Sequence, residues 1–529
     1  MLISPPFGGG RAPVLARNTV ASSQPLATQA GIEVLQNGGN AVDAALATAI
    51  TLTVVEPTMN GIGGDGFAIL WDGKKLHGLN ASGRAPAAWK PEYFAGKSAM
   101  DLIGWNTVTV PGMVAGWVDL SRKFGKLPFA QLFKRAIDYA ENGFPVSPVI
   151  ARQWREAIPI LKNQPGFSES FLIDGKAPQA GHIWKYPAQA KTLKEIAATE
   201  GESFYKGPIA KSMVDFAQAT GGCFTMQDFA DNQSEWVEPL AFDYGDYTLH
   251  EIPPNGSGIA AQIALGILQA ANVKQYPANS AQRIHLQIEA MRMAFADVYA
   301  YVSDARSMQM PVTSLLDRKY LASRAAMIDH DKAGSYGAGD PHSGGTVYLC
   351  AADESGMMIS YIQSNFKGFG SGVVAPGGIA FHNRGMSFRL EDGHPNQVAP
   401  GKRPFHTILP AFLTKNGKPT MAFGVMGGNM QPQGHIQFVM RFVDEYLNPQ
   451  ACSDAPRWRI DDAGKLTVEA SMPTAVVEEL KAMGHEVTVM PANSLDFGSA
   501  QAIALLGEET KDAYIAGSDH RRDGLAAGF

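Results

Sequence analysis

Residues 344–363 read Gly-Gly-Thr-Val-Tyr-Leu-Cys-Ala-Ala-Asp-Glu-Ser-Gly-Met-Met-Ile-Ser-Tyr-Ile-Gln. From Thr346 onward the side chains are apolar, aromatic or β-branched, which is typical of a buried strand. The run Asp353-Glu-Ser-Gly356 indicates a turn, and the apolar run from Met357 to Gln363 predicts a returning strand. The stretch therefore predicts a β-hairpin inside a larger core.

A loop-like segment precedes this hairpin. Residues 331–345 are rich in Gly and Ser, a composition typical of a linker or surface loop. At its end, Thr346 is open to two interpretations. It can be an ordinary strand-starting threonine, which is the commoner case. Alternatively, its hydroxyl attacks the Gly345 carbonyl, an acyl shift gives an ester, and hydrolysis frees a Thr346 α-amine that acts as general base for the same side chain.

Helices and strands are predicted on both sides of the hairpin. Periodicity predicts helices near residues 25–37, 41–55, 188–199, 280–301, 433–445 and 474–483. Strand patterns occur at residues 67–71, 421–424, 465–469, 486–490 and 500–506. The middle of the chain, residues 110–330, is predicted to be mainly helical. Together these elements favour a layered α/β fold.

Composition narrows the classes of function. The chain has 529 residues, of which 45% are hydrophobic and 18% charged, so a large buried core is possible. The net charge of −6 without a basic run gives no reason to expect nucleic acid or an anionic membrane as partner. A small polar substrate fits better. The three cysteines, Cys223, Cys350 and Cys452, lack the spacing of a disulfide framework or a zinc site.

The N-terminal sequence lacks the pattern of a secretory signal, and the apolar stretch from Ala41 to Val55 is too short to cross a bilayer. We therefore expect a soluble, cytoplasmic protein. The glycine-rich run Gly61-Ile-Gly-Gly-Asp-Gly66 is a weak phosphate-binding candidate, because it lacks the P-loop lysine and precedes a strand.

Ordered motifs along nearly the whole chain resemble those of the gamma-glutamyltranspeptidase family. They are Gly38-Gly-Asn-Ala-Val-Asp-Ala-Ala45, Val55-Glu-Pro57, Gly61-Ile-Gly-Gly64, Val110-Pro-Gly112, Thr346 with its hairpin, Phe369-Gly-Ser-Gly372, Gly401-Lys-Arg-Pro404, Met426-Gly-Gly428 and Gly517-Ser-Asp-His-Arg521. The resemblance implies the four-layer αββα fold of N-terminal-nucleophile hydrolases. It also implies a proenzyme cut into residues 1–345 and 346–529, two chains of one intertwined domain, with a homodimer of that heterodimer as an option.

The resemblance assigns the chemical roles. Thr346 falls on the family's nucleophile, and Ser364 falls where the family has a second threonine that hydrogen-bonds it. Gly427 and Gly428 match the glycine pair whose backbone N–H groups would stabilise the oxyanion, and loss of one such donor typically costs ~3 kcal/mol. The alternative for the pair is a plain tight turn. Because the chain itself supplies these groups, we expect no metal and no organic cofactor.

Two substrate-binding positions depart from the family pattern. The arginine that grips the substrate α-carboxylate is replaced by Ser82, and an arginine appears two residues later as Arg84. In a strand this shift keeps the same face, so Arg84 could reach a carboxylate, and a surface salt bridge is the equal alternative. The family aspartate that receives the α-amine falls near Ser387, where no carboxylate remains.

The other positions that the resemblance places in the substrate site are Asn365, Asn383, Arg384, His406 and Thr407. Arg384 stands in place of a neutral amide, which favours an acid without an α-amine. His406 is open between a pocket donor and a packed imidazole. The segment from 389 to 400 is shorter than the lid loop of many members, so water should reach the site and hydrolysis should outrun transfer.

We therefore predict an autoprocessing amidohydrolase that cleaves a γ-glutamyl or related acidic acyl amide through an acyl-Thr346 ester. The first alternative is an acyl group lacking the α-amine, as in the branches of cephalosporin (glutaryl) acylases and oxamate amidohydrolase. The second alternative is a non-catalytic binding protein that retained the fold. Retention of Thr346, Ser364, Gly427 and Gly428 argues against this last interpretation.

Overall fold

Two β-sheets lie face to face at the centre of the molecule and carry helices on their outer faces. The computed structural model describes residues 11–336, 345–461, 464–491, 494–507 and 513–529. The predicted layered α/β fold is confirmed, and it has the αββα arrangement of the N-terminal-nucleophile hydrolases. Among the described residues, no helix combines the length and hydropathy required to cross a membrane.

The described strands, in chain order, are β1 (Val14–Ala16), β2 (Thr19–Ser22), β3 (Asp65–Trp71), β4 (Leu76–Ala81), β5 (Phe144–Pro145), β6 (Ile183–Trp184), β7 (Glu235–Val237), β8 (Leu240–Tyr244), β9 (Tyr247–Glu251), β10 (Gly345–Ala352), β11 (Met358–Phe366), β12 (Val374–Ala375), β13 (Ile379–Ala380), β14 (Ala411–Lys415), β15 (Lys418–Val425), β16 (Trp458–Ile460), β17 (Leu466–Glu469), β18 (Val487–Met490), β19 (Ala500–Leu505), β20 (Tyr514–Ser518) and β21 (Leu525–Gly528).

The described helices are α1 (Pro25–Gln36), α2 (Ala41–Val55), α3 (Met113–Phe124), α4 (Lys134–Asn142), α5 (Pro148–Leu161), α6 (Phe167–Phe171), α7 (Pro187–Ala198), α8 (Glu202–Lys206), α9 (Pro208–Thr220), α10 (Met226–Ala230), α11 (Ile259–Ala270), α12 (Ala281–Tyr301), α13 (Arg318–Ala325), α14 (Met430–Asp444), α15 (Pro449–Asp454) and α16 (Thr474–Ala482).

The first sheet has the order β21-β2-β10-β11-β3-β4-β7, and the second has the order β1-β20-β19-β15-β14-β9-β8. Neighbouring strands are antiparallel in both sheets. Strands β10 and β11 of the first sheet pack against β15 of the second. The predicted hairpin therefore lies at the middle of the αββα stack.

Helix α2 shows why the core tolerates so many alanines. Asn40 and Asp43 form a capping box at its start, and every residue of α2 is buried. The helix lies between the β10–β11 hairpin and the outer helices α1 and α4. Small side chains allow this close packing of one helix against both layers. On the other face of the stack, α11 and α14 pack against the second sheet.

The expectation for residues 110–330 needs a correction. Helices dominate there as predicted, but β7, β8 and β9 lie within this part of the chain. Strand β7 forms one edge of the first sheet, whereas β8 and β9 complete the second. Part of the predicted loop before Thr346, residues 337–344, lies outside the described residues.

Candidate active site

Thr346 is the second residue of β10 and is fully buried between the two sheets. The pairing of β10 with β11 is irregular between Gly345 and Val347, so the strand ladder is interrupted at Thr346. The Thr346 hydroxyl oxygen accepts a hydrogen bond of 3.2 Å from the side-chain nitrogen of Gln431. The strand thus places a hydroxyl, rather than a plain packing residue, at a polar contact inside the core.

Gln431 was not identified from the sequence. It lies in the first turn of α14, and its side-chain oxygen accepts a hydrogen bond of 2.8 Å from the backbone of Leu409. This second contact fixes the amide orientation, so that the Gln431 nitrogen points at Thr346. A glutamine shortly after a glycine pair was the available signal, but sequence alone does not show which face of α14 meets β10.

The glycine pair lies just before α14, the helix whose Gln431 contacts Thr346. Gly427 and Gly428 connect β15 to α14 and have φ angles of +120° and +60°. Such angles are accessible to glycine at little cost, which leaves their backbone free to make a sharp turn at the start of the helix. Just before the pair, the Met426 sulfur lies 3.0 Å from the backbone nitrogen of Tyr348 in β10. The positive end of the α14 dipole also points toward this region.

Ser364 and Asn365 lie on β11, next to the strand that bears Thr346. The backbone nitrogen of Phe366 donates a hydrogen bond of 2.6 Å to the Ser364 hydroxyl. The backbone nitrogen of Asn365 donates to the Met59 carbonyl at 3.1 Å. Both residues are buried, so the structure brings this part of the predicted site into the same layer as Thr346.

Arg384 is a buried cation that makes no direct ion pair with a carboxylate of the described residues, although Asp65 is near enough to favour its charge. It is 1% exposed, and its guanidinium carbon lies 3.7 Å from the centroid of the Phe366 ring. One guanidinium nitrogen donates to the Thr407 hydroxyl at 3.0 Å, and the other has no partner among the described atoms. No carboxylate oxygen of the described residues lies within 4 Å of this group.

Burial lowers the pKa of Arg384 to about 9, so the side chain is still protonated at neutral pH. A buried charge is costly unless a partner compensates it. The arrangement is therefore suited to an anionic ligand that can accept hydrogen bonds from the unpaired nitrogen.

His406 is a packed imidazole. It is fully buried, its ring lies edge-on to Phe67, and its Nε2 atom donates to the Asp65 carboxylate at 3.1 Å. Burial lowers the pKa of His406 to about 3, which keeps the ring neutral. The backbone nitrogens of Gly83 and Gly112 also donate to Asp65. Of the two interpretations of His406, the geometry matches the structural one.

Arg84 is engaged in ion pairs with protein carboxylates. Its guanidinium contacts Glu235 at 2.6 Å and Asp304 at 3.2 Å. Ser82 donates a hydrogen bond of 2.7 Å to the Asn80 side chain, within a buried polar network. The geometry thus matches the salt-bridge alternative for Arg84, and it gives Ser82 a role in holding the end of β4.

Two cavities lie near the start of α14, the smaller lined in part by Asn429 and the larger in part by Gly427. The smaller has a volume of about 140 Å³ and is lined in part by Phe366, Ser387, Thr407 and Asn429. The larger, of about 500 Å³, is lined in part by Gly427 and Asn383. Phe366 and Thr407, which line the smaller cavity, also contact Arg384, so the buried cation lies behind the wall of that cavity.

Asn383 lines the larger cavity, and two hydrogen bonds fix its side chain. Its amide nitrogen donates to the Leu102 carbonyl at 2.9 Å, and its oxygen accepts from the Lys367 backbone at 3.1 Å. Its neighbour Arg384 lines neither cavity, but it contacts Phe366 and Thr407, which line the smaller one.

Comparison with known proteins shows similarity along nearly the whole chain. Residues 27–529 match the family model described as gamma-glutamyltranspeptidase. A glutathione hydrolase-like proenzyme of Bacillus subtilis is 34% identical over 97% of this chain and 98% of its own length. An oxamate amidohydrolase proenzyme of Klebsiella pneumoniae is 35% identical over 95% of this chain and 97% of its own.

A solved structure of similar size shares the fold. The cephalosporin acylase of Bacillus halodurans superposes with a TM-score of 0.93 and is 43% identical, with 99% of this chain and 98% of that chain covered. The similarity therefore extends over both sheets and both helical layers.

Proposed function

The chain belongs to the gamma-glutamyltranspeptidase family, and from that premise we propose that it is a self-processing amidohydrolase that transfers an acidic acyl group to Thr346 and then to water. The amide bond cleaved is one whose acyl part carries a second carboxylate. Its relatives are named as a glutathione hydrolase-like proenzyme, an oxamate amidohydrolase proenzyme and a cephalosporin acylase. These names refer to enzymes that cleave amides, or to proteins similar to such enzymes.

Processing would create the catalytic group. The Thr346 hydroxyl attacks the Gly345 carbonyl carbon, the C–N bond breaks as the acyl group moves to oxygen, and water hydrolyses the ester. Residues 1–345 then end in a carboxylate, and Thr346 gains an α-amine. The proenzyme names of two relatives support this step for the present chain.

In turnover, the α-amine of Thr346 would remove the hydroxyl proton while the oxygen attacks the substrate carbonyl. Backbone N–H groups at Gly427 and Gly428 would stabilise the oxyanion, and Ser364 would orient the nucleophile. The amine leaves with the transferred proton, and water then releases the acid from the ester. Gln431 already donates to the Thr346 hydroxyl oxygen, which fixes its orientation.

The observation that carries the substrate class is the unpaired nitrogen of buried Arg384. The smaller cavity beside it is lined by Arg389 and His394 but by no Asp or Glu among the described residues. This lining favours a distal carboxylate and offers nothing to an α-ammonium group. We therefore favour glutaryl-like or oxamate-like acyl groups, with γ-glutamyl amides as the alternative.

The test combines processing with a substrate panel. Denaturing electrophoresis and N-terminal sequencing of active protein should give a fragment that starts Thr-Val-Tyr, and Thr346→Ala should remain uncut and inactive. Among γ-glutamyl, glutaryl and oxamate amides, the γ-glutamyl amide should be the poorest substrate. A fully active uncut chain would refute the mechanism, and preference for the γ-glutamyl amide would refute the assignment of the acyl group.

The short segment from 389 to 400 supports hydrolysis over transfer, because water reaches an uncovered acyl-enzyme readily. Adding an amino acid or dipeptide acceptor to the assay should therefore increase total turnover by less than two-fold. A large increase with a new amide product would show that transfer dominates.

A further inference from the structure

A cluster of two histidines and a glutamate lies where α12 meets α16. His285 and Glu289 are one helical turn apart on α12, and both are fully buried. His485, which follows α16, is 4% exposed. One ring nitrogen of each histidine and a carboxylate oxygen of Glu289 all lie within 4.8 Å of one another. None of the three residues lines either cavity near the start of α14.

The turn after α16 brings His485 to this cluster. Gly484 has a φ angle of +89°, and the backbone nitrogen of His485 donates to the Leu480 carbonyl at 3.1 Å. This is the usual way in which a glycine ends a helix and redirects the chain. In the same turn, the Met483 carbonyl accepts a hydrogen bond of 2.8 Å from the Ala333 backbone nitrogen. Backbone contacts on both sides of His485 therefore hold it in place.

Hydrogen bonds around the two imidazoles leave one ring nitrogen unsatisfied. The Nε2 atom of His285 lies 2.8 Å from the Asp329 carbonyl oxygen, which can only accept, so Nε2 carries a proton. Metal-binding histidines commonly donate their second ring nitrogen to such a carbonyl. The Nδ1 atom of His285 lies 2.8 Å from Nε2 of His485, whose own Nδ1 has no partner among the described residues. A buried nitrogen of this kind indicates an additional water or ion.

Glu289 supplies a negative charge to the cluster. One of its carboxylate oxygens accepts a hydrogen bond of 2.7 Å from the backbone nitrogen of Gly334. The other lies 3.4 Å from the Arg292 guanidinium, which is long for a charge-assisted hydrogen bond. Arg292 is 21% exposed in its side chain and also donates to the Gly334 carbonyl, so its charge is shared with water and backbone. This oxygen of Glu289 can therefore bind a cation of higher charge.

We propose that His285, Glu289 and His485 bind one divalent transition-metal ion such as Zn²⁺. Two imidazoles and a carboxylate are a donor set that zinc accepts in proteins, with water in the fourth position. Bonds of about 2.0–2.1 Å would require the two ring nitrogens to separate from 2.8 Å to about 3.4 Å. The sequence alone does not reveal this site, because the two histidines are 200 positions apart.

Such an ion would connect residues on both sides of the junction between Gly345 and Thr346. His285 and Glu289 precede the junction, and His485 follows it. In a processed molecule the ligands would therefore come from two chains, and the ion would fasten one chain to the other. The expectation that the reaction needs no metal concerns the chemistry at Thr346 and is a separate matter.

The test measures metal binding by the whole protein after treatment with EDTA and removal of the chelator. Zn²⁺ titrated in competition with a chromophoric chelator should bind at one ion per chain. At about 100 times its Kd, Zn²⁺ should raise the Tm by about 2 °C. His485→Gln and Glu289→Gln should each weaken zinc binding at least about 100-fold, since even a lost supporting hydrogen bond costs about 10–100-fold.

His250→Gln is the matched control. His250 is a partly buried histidine of β9 whose Nε2 atom lies 2.9 Å from the Thr414 hydroxyl, and it belongs to no comparable cluster among the described residues. This variant should bind zinc as the wild type does. Absence of zinc binding by the wild type would overturn the proposal, as would unchanged affinity in both His485→Gln and Glu289→Gln. Glu289→Gln keeps the shape of the side chain, so it remains informative if His485→Gln does not fold.

Discussion

Gln431 and Thr346 form the most informative side-chain contact in the molecule. The amide nitrogen donates to the Thr346 hydroxyl oxygen, and the amide oxygen accepts a hydrogen bond from the backbone of Leu409. The hydroxyl is thereby held in one orientation before any substrate arrives. Replacing the side-chain nitrogen of Gln431 with oxygen would remove the hydrogen bond to Thr346 and keep the one from Leu409.

We expect Gln431→Glu to retain the contact with Leu409 and to lose the donation to Thr346. Loss of one hydrogen bond of about 1.4 kcal/mol corresponds to a roughly 10-fold fall in kcat and in the rate of processing at neutral pH. A protonated Glu could donate again, so activity relative to wild type should recover as the pH falls. Steady-state kinetics and electrophoresis at several pH values measure both effects. Wild-type rates at neutral pH would show that the contact has no role.

Arg384 allows a second prediction about a single side chain. Arg384→Met keeps the packing on Phe366 but removes the charge. A charge-assisted hydrogen bond contributes about 2 kcal/mol, so KM for a glutaryl amide should rise roughly 30-fold. KM for the matching pentanoyl amide, which lacks the carboxylate, should not rise.

Arg384→Lys serves as the control, since it keeps the charge but not the planar fork or the stacking on Phe366. It should fall between wild type and Arg384→Met. Equal losses for the glutaryl and pentanoyl amides would mean that Arg384 is structural.

Site residues could be predicted from the sequence where they belong to a recognisable motif. They could not be predicted where their role depends only on packing in the fold. Thr346 and the glycine pair are recognisable in the sequence because their neighbours form ordered motifs. The choice between pocket donor and packed imidazole for His406 depends on the distance to Asp65, which is 341 positions away in the chain. Likewise, Gln431 acquires its contact only when α14 docks on β15.

At the scale of elements, α14 links the fold to the site. Gly434 of α14 packs against Val425 of β15, and a Cβ atom there would lie 2.5 Å from a Val425 methyl carbon. The same helix carries Gln431 and follows the glycine pair. Gly31 of α1 is equally crowded, because its Cβ would collide with the Thr48 hydroxyl of α2, but α1 lies in the outer layer on the other face of the stack.

We expect Gly434→Ala and Gly31→Ala to destabilise the protein by similar amounts, about 1–3 kcal/mol, as overpacking usually does. Gly434→Ala should also lower kcat at least 10-fold, because small displacements of catalytic groups are costly. Gly31→Ala should change kcat less than two-fold. Urea denaturation and kinetics on the folded proteins give the comparison, and equal kcat values would exclude α14 as the positioning element.

The elements themselves were predictable to different degrees. Long segments such as α2 and α12 were predicted within a residue or two, because many side chains contribute to the period. Strands β8 and β9 were missed, since five-residue segments with polar alternation between helices give a weak signal. Strand β9 pairs with β14, which is distant in sequence, and β8 pairs with β9 at the edge of the sheet.

At the scale of the whole molecule, an ionic cluster around Asp304 ties distant segments together. Arg84 and Arg306 contact the Asp304 carboxylate, and the backbone nitrogen of Arg403 donates to it. Burial alone would raise the pKa of Asp304, but these partners, chiefly Arg306, lower it to about 2. The cluster connects the end of β4, the segment after α12 and the loop before β14.

We expect Asp304→Asn to lower the free energy of unfolding by about 1–2 kcal/mol at pH 7, less than the pKa shift alone would give, because water screens part of the cluster. An acid with a depressed folded-state pKa contributes stability above its unfolded pKa and loses it as the pH falls through the folded value. The difference from wild type should therefore shrink between pH 5 and pH 2. Denaturation curves across this range test it, and a constant difference would point to packing instead.

The strand order of the first sheet bears on whether a cut molecule could refold. In the first sheet, β21, β10 and β11 come from residues after Gly345, and β2 lies between β21 and β10 although it comes from the other side of that junction. An uncut chain can reach this arrangement by a unimolecular reaction, at a rate that does not depend on protein concentration. Once cut, the same arrangement requires two separate polypeptides to meet and thread their strands between each other. Folding would then become bimolecular, and a processed molecule that unfolds in dilute solution would have little chance to return.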